Sequence, residues 1–225
     1  KIQLGAVLFA DPRLSSNNQT ACAHCHKLDR GGADVAALSI KPNGEPTAVN
    51  TPTVFNLVLN FRLFWDGRFT SLEAHILQPT LKDSATLWTE VLAKFENDQT
   101  LSASFAAIYP DGTTIANIQD ALVAFERSLV ALNSPFDRFL RGDTSAISLR
   151  AREGYGLFKS YGCASCHQGA NVGGNMFQKL GVMGDYFADR GSITHADLGR
   201  YNVTGKDEDH HVFRVPSLRL VVLTA

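Results

Sequence analysis

No stretch of this 225-residue chain approaches the roughly 18 uninterrupted apolar residues that a membrane-spanning helix needs. Net charge is equally scarce. Twenty-one Lys and Arg face 22 Asp and Glu, leaving −1 overall. That balance removes the general electrostatic argument for nucleic acid or an anionic membrane surface. The chain opens Lys1-Ile2-Gln3-Leu4, already in the language of a folded domain and without a secretory leader. A secreted protein reads the same after cleavage, so this does not argue for the cytoplasm. Cysteine is limited to four residues, too few for a disulfide scaffold of this size. Apolar residues are not scarce. At 44% they can build a proper core, which excludes disorder, and the length allows one large domain or two small ones.

The cysteines fall in two pairs, each followed at once by histidine: Cys22-Ala23-His24-Cys25-His26 and Cys163-Ala164-Ser165-Cys166-His167. C-x-x-C-H is the attachment signature of c-type haem. Two thiols add across the two vinyl groups of one porphyrin, and the adjacent histidine is placed beneath the iron as axial ligand. Two competing readings exist: one zinc site built from four thiolates, or two dithiol redox pairs. Neither requires a histidine directly after both pairs. Two haems consume all four cysteines and leave none for disulfides or nucleophilic catalysis.

The remaining pattern predicts a mostly α protein of two c-type cytochrome domains, each wrapping one covalently bound haem with long irregular loops. Gly5-x-x-Leu8-Phe9 precedes the first motif and Gly154-x-x-Leu157-Phe158 the second, which suggests an old internal duplication. Ile115, Ile118, Leu122, Phe125, Leu129 and Leu132 recur at helical spacing. Ser134-Pro135 breaks that stripe and starts a further helix around 136–141. Residues 147–158 lead into the second motif, and 87–95 and 101–108 read as short helices. Stretches 30–53 and 168–216, rich in Gly, Asn, Asp and Pro, read as haem-wrapping loops. The boundary falls near Asn133, giving domains 1–133 and 134–225.

Several further motifs carry a specific resemblance. Asp11-Pro12-Arg13-Leu14-Ser15, Gly31-Gly32-Ala33-Asp34, Asn50-Thr51-Pro52-Thr53 and Phe64-Trp65-Asp66-Gly67-Arg68 accompany the first haem motif. Phe136-Asp137-Arg138, Arg141-Gly142-Asp143, Val172-Gly173-Gly174 and Val212-Phe213-Arg214-Val215-Pro216-Ser217-Leu218-Arg219 accompany the second. Together they resemble the bacterial di-haem cytochrome c peroxidases, a superfamily that includes the di-haem enzyme maturing methylamine dehydrogenase. The resemblance implies a periplasmic enzyme, its leader removed, that reduces hydrogen peroxide to water. Electrons would come from a small donor protein, a cytochrome c or a cupredoxin. His26 would then ligate the low-potential peroxidatic iron and His167 the high-potential iron that receives electrons. Trp65 matches the tryptophan between the haems. Asn50 and Thr224 match ligands of an inter-domain calcium ion. A homodimer is left open. The alternatives are a di-haem oxidase that uses peroxide to modify a partner protein, and a non-catalytic di-haem electron carrier.

Departures from the family pattern sharpen the expectation. The loop histidine that caps the first iron in reductively activated members falls at Pro42, and no histidine lies between His26 and His75. The first iron is therefore expected to be open at rest. The distal glutamine position is His75, and the distal glutamate position is Ala85, with Asp83 nearby and Pro79 retained. His75 reads either as acid–base catalyst over the first haem, as an iron ligand, or as a histidine on the surface or satisfied in the core. His24, His195, His210 and His211 are expected to be structural. The family continues past Ala225 to a methionine ligand of the second iron, so the C-terminal domain is expected to be truncated. Met176 and Met183 are the two thioethers available here.

Peptides containing residues 22–26 and 163–167 should each carry covalent haem, and Cys163→Ala should remove one haem of two. Pyridine haemochrome spectra and peptide mass spectrometry check both expectations.

Overall fold

The computed structural model describes residues 1–77 and 84–225. The first helix, α1 (Ile2–Phe9), buries Leu4, Leu8 and Phe9. A single turn, α2 (Cys22–Cys25), carries the first cysteine pair. Then follow α3 (Leu72–Leu77), α4 (Ser84–Glu96), α5 (Gln99–Ala106) and α6 (Ile115–Ser128). The second half holds α7 (Pro135–Leu140), α8 (Leu149–Ser160), β1 (Phe177–Lys179), α9 (Tyr186–Arg190), α10 (Tyr201–Thr204) and β2 (Val212–Arg214). The strands pair antiparallel, Phe177 opposite Arg214 and Lys179 opposite Val212. The mostly helical reading holds.

Local chemistry sets the helix starts. Asp98, Thr114 and Ser148 accept from backbone N–H groups that would otherwise be orphaned at the heads of α5, α6 and α8. Ser134 and Asp137 cap α7 reciprocally, with Pro135 in the first turn, where its missing N–H costs nothing.

The buried apolar cluster draws on α1, α3, α4, α5 and α6 and on the loop at Val54, Leu57 and Leu63. Gly5 lets α1 cross α6 closely, because a Cβ there would overlap the Ala121 carbonyl. Phe9 meets Phe125 edge-on at 5.2 Å between ring centres. The second half carries the same Gly-x-x-Leu-Phe pattern on α8 but packs it differently. No residue of α8 is buried, and Gly154 faces open space.

Three expectations need correction. The α6 stripe stops at Ser128: Leu129 leaves helical geometry and Leu132 is exposed. Helix α8 begins at Leu149 rather than residue 147, because Ser148 acts as its cap. The stretch 168–216, expected to be irregular, contains the β1–β2 hairpin with α9 and α10 between its strands. Pro79 and Asp83 lie outside the described residues, and Ala85 falls in the first turn of α4.

What bends the chain after Ser128 is Asn56. It is 0% exposed and sits at φ +57°, a left-handed conformation that asparagine tolerates better than most side chains. Its N–H donates to Leu129 O at 2.8 Å. Its side chain accepts from Ala131 N at 2.6 Å and donates to Ala131 O at 3.3 Å. Its own carbonyl accepts from Asn171 Nδ2 at 3.0 Å, across 115 residues of sequence. The halves meet again where Phe61 N donates to Gly174 O and Arg214 N to Trp65 O. Arg219 grips Asp137 with both terminal nitrogens, at 2.6 and 3.1 Å, and so ties the end of the chain to α7.

Asn56→Ala should cost about 2–4 kcal/mol, because it removes both side-chain bonds to the half-buried Ala131 backbone and strains a left-handed residue. Asn56→Gly should recover only the conformational part. Urea unfolding of the two variants beside the wild type measures the difference.

Candidate functional site

Both histidines of the cysteine motifs are held the same way. His26 ends α2, and its Nδ1 is bonded to Gly32 O at 3.2 Å. His167 follows a 3₁₀ turn over Cys163–Ser165, and its Nδ1 is bonded to Val172 O at 3.3 Å. In each case the loop returns five or six residues later to present a carbonyl. That fixes the ring and leaves Nε2 as the ligating nitrogen. Burial pushes the His26 pKa down and favours the neutral imidazole that binds metal.

The competing cysteine chemistries do not fit. Burial, aided by Glu126, pushes the Cys22 thiol up to about 12, opposite to the activated thiolate of a dithiol redox pair. The two pairs do not converge either. Among the described residues no three His, Cys, Asp or Glu side chains are placed to share a metal ion.

His75 lies on α3 with its ring 4.9 Å from Phe64 and 5.3 Å from Phe69. Arg68 covers the other part of this box, its guanidinium 4.3 Å from the Phe64 ring centre. The ring is half-buried against these aromatics. The His75 Nδ1 is buried and, among the described residues, has no partner. Burial first, then the charges of His26 and Arg68, lower its pKa to about 4, so the ring is neutral at neutral pH. Pro42, in place of the capping histidine, is exposed and accepts from Asn17 Nδ2 at 3.3 Å.

Trp65 is brought to the second motif. Its Nε1 donates to Asn50 O at 2.8 Å, and its carbonyl accepts from Arg214 N at 2.8 Å. Trp65, Asn50, Cys166, His167 and Arg214 line one cleft of about 520 Å³. The Asn50 side chain donates to Ala37 O at 3.1 Å. Thr224 bonds back to Val221 O beside Leu223, which rests against Gly31, and it shares no hydrogen bond with Asn50. Met183 is 100% exposed, whereas Met176 is half-buried and accepts from Val215 N through its carbonyl. His24 receives the Ala21 N–H, His211 stacks on Phe187 and His210 on Tyr201, all structural roles.

Two buried charges escaped the sequence reading. Glu126 is 6% exposed near Cys22, and burial lifts its carboxyl to about 7. Arg214 is 4% exposed in the second cleft. A signal existed for the first, since Glu126 stands four residues after Leu122 on the inward stripe of α6.

Haem fits these residues. Each motif pairs two thiols with a clamped histidine, His75 leaves a buried nitrogen unclaimed beside the first, and the cleft at the second is porphyrin-sized. The fold and the two motifs define a c-type cytochrome with two haem-attachment sites. The family of di-haem cytochrome c peroxidases matches over residues 1–145. The chain is 43% identical to cytochrome c peroxidase Ccp of Escherichia coli, over all of this chain and 49% of that protein. It is 37% identical to cytochrome c551 peroxidase of Nitrosomonas europaea, over 99% of this chain and 66% of that one. The methylamine utilization protein MauG of Methylorubrum extorquens is 32% identical, over 97% of this chain and 61% of its own. A solved MauG-like protein associated with microbial copper homeostasis superposes with TM-score 0.87 at 27% identity, covering all of this chain and 70% of its own. This chain belongs to the di-haem cytochrome c peroxidase family, whose members carry two covalently bound haems. It spans about half to two thirds of the length of these sequence relatives.

His75 should stay neutral in an NMR titration until the pH approaches 4. Its folded pKa lies below the ordinary histidine value of 6.5, so its contribution to stability is complete above that value and lost as pH falls towards 4. His75→Phe should therefore blunt acid destabilisation across this window.

Proposed function

We propose that this protein reduces hydrogen peroxide to two waters with electrons delivered by a small redox protein. The observation that carries this reading is His75, a half-buried, neutral imidazole whose buried Nδ1 is unclaimed among the described residues, in a box of Phe64, Phe69 and Arg68 on the His26 side of the molecule. Peroxide cleavage needs a group that takes a proton from one oxygen and returns it to the other. Neutral His75 is in the accepting state at neutral pH. Its depressed pKa makes the protonated ring a ready donor for the second transfer. Arg68 adds fixed positive charge beside the same ring, which favours an anionic peroxide oxygen.

Cys22, Cys25 and His26 would hold the first haem, and Cys163, Cys166 and His167 the second. When bound, the haem supplies the redox chemistry and the power to break the oxygen–oxygen bond. The chain's own part is to orient both histidines, exclude water with the aromatic box and place Trp65 between the sites. The indole is held by Asn50 O at one end and its backbone by Arg214 at the other, so it is rigid enough to serve as an electron path.

The two halves are read as two haem domains meeting near Asn133, which sits at φ +61° between α6 and α7. Support comes from the single buried apolar cluster of residues 4–125 and from the second motif's own loop and hairpin. Asn50 and Thr224 are read as calcium ligands and the compartment as periplasmic. Both follow the family pattern, and among the described residues no helix is long and apolar enough to cross a membrane. Similarity to MauG favours one second reading, in which peroxide drives oxidation of a side chain on a partner protein.

In the holoprotein, His75→Ala should retain both haems and the ferric spin state. It should slow the stopped-flow reaction with peroxide on the order of 10²- to 10⁴-fold, the usual size of an acid–base contribution. A low-spin wild type that becomes high-spin and faster in this variant would instead make His75 an iron ligand.

A further inference from the structure

The second cleft holds a buried cation that no acidic side chain among the described residues neutralises. Arg214 lies at the end of β2, 4% exposed, and lines the same cleft as Cys166, His167 and Trp65. Its Nε donates to Phe64 O at 3.1 Å and its Nη1 to Val215 O at 3.4 Å. Both acceptors are backbone carbonyls, and neither carries a charge. No ion pair forms to its guanidinium among the described residues, and Nη2 has no acceptor there. Burial alone drives its pKa down to about 10, the mark of a cation stripped of water without an anion in return.

Nearby charges leave this deficit in place. Asp197, in the turn before α10, also lines the cleft, but its carboxylate is bound by Arg190. Asp66 pairs with Arg68 at 3.5 Å, and Arg200 faces Asp209. Lys179 on β1 adds a second cation to the lining. The cleft thus presents two cations and one carboxylate that is already satisfied. A buried unpaired guanidinium is costly, and its forked donors suit a carboxylate.

We propose that Arg214 is the carboxylate anchor of the second haem, pairing through Nη2 with one of the porphyrin's two propionates. This rests on the reading of Cys163, Cys166 and His167 as a haem site. Arg214 also fixes the carbonyls of Phe64 and Trp65 through its Nε and its backbone N–H. The same side chain then registers the second haem against the strap that carries Trp65. Arg214 is a positioning residue: it neutralises a charge on the cofactor and handles no substrate. A cation beside the propionate disfavours the oxidised, more positive haem and raises the potential.

The test is potentiometry of the second haem in the holoprotein, with haem content measured on the same samples. Arg214→Gln should keep two haems per chain and lower this potential by at least 59 mV, a tenfold change in a one-electron equilibrium. Arg214→Lys should restore most of the loss. An unchanged potential in Arg214→Gln with both haems present overturns the proposal, as does a drop that lysine does not reverse. If Arg214→Gln fails to fold, the propionate bending band in the resonance Raman spectrum of Arg214→Lys decides. A shift from the wild type supports the pairing, and an unshifted band overturns it. A wild type with haem on Cys22 and Cys25 alone removes the second-site reading itself, an outcome distinct from failure of the arginine.

Discussion

Asn56 is the point on which the two halves depend. One residue, sealed from solvent in a left-handed conformation, satisfies the chain leaving α6 through Leu129 and Ala131 and receives Asn171 from beyond the second haem motif. The groups it contacts are main-chain and amide groups, fully buried at Asn171 and half-buried at Leu129 and Ala131. The loop 56–67 that begins at Asn56 then delivers Asn60, Phe61, Phe64 and Trp65 in succession. Asn60 meets Asn171, Phe61 meets Gly174 and Phe177, and Trp65 meets Arg214. Move Asn56, and the strap between the two haem motifs loses its register.

The chain also leaves groups unsatisfied in places that matter. Among the described residues His75 Nδ1 has no partner, Glu126 is a buried carboxyl without a cation, and Arg214 is a buried guanidinium without an anion. Each stands beside one of the haem motifs. Interiors rarely tolerate such groups unless something else completes them. In this protein the polypeptide supplies two incomplete polar environments, and a haem at each motif would have the charges and hydrogen-bonding atoms to complete them. The sparse burial of α8, set against the packed α1, is a further asymmetry between two segments with one sequence pattern.

The motifs were legible because their chemistry is local. C-x-x-C-H needs its three functional atoms within one turn, so spacing alone exposes it, and the clamps from Gly32 and Val172 follow only five or six residues later. The helix start at Ser134-Pro135 was equally readable, since a cap acts on the next three residues, whereas the Ser148 cap was passed over and α8 was begun two residues early. The long stripe on α6 overran its end because a distant asparagine, not the apolar period, ends it. The β1–β2 hairpin was missed for a related reason: its strands are three residues each and lie far apart in sequence.

By itself, then, the sequence determined two haem attachments and a helical class. Those are properties of short segments, set by covalent spacing and local propensity. Only the tertiary structure decided that His75 sits unpartnered in an aromatic box, that Trp65 shares a cleft with His167, and that Arg214 is buried without a counter-charge. Burial and the company of remote groups create these properties. Desolvation and long-range contact depend on where the chain returns, and no local pattern of residues records that.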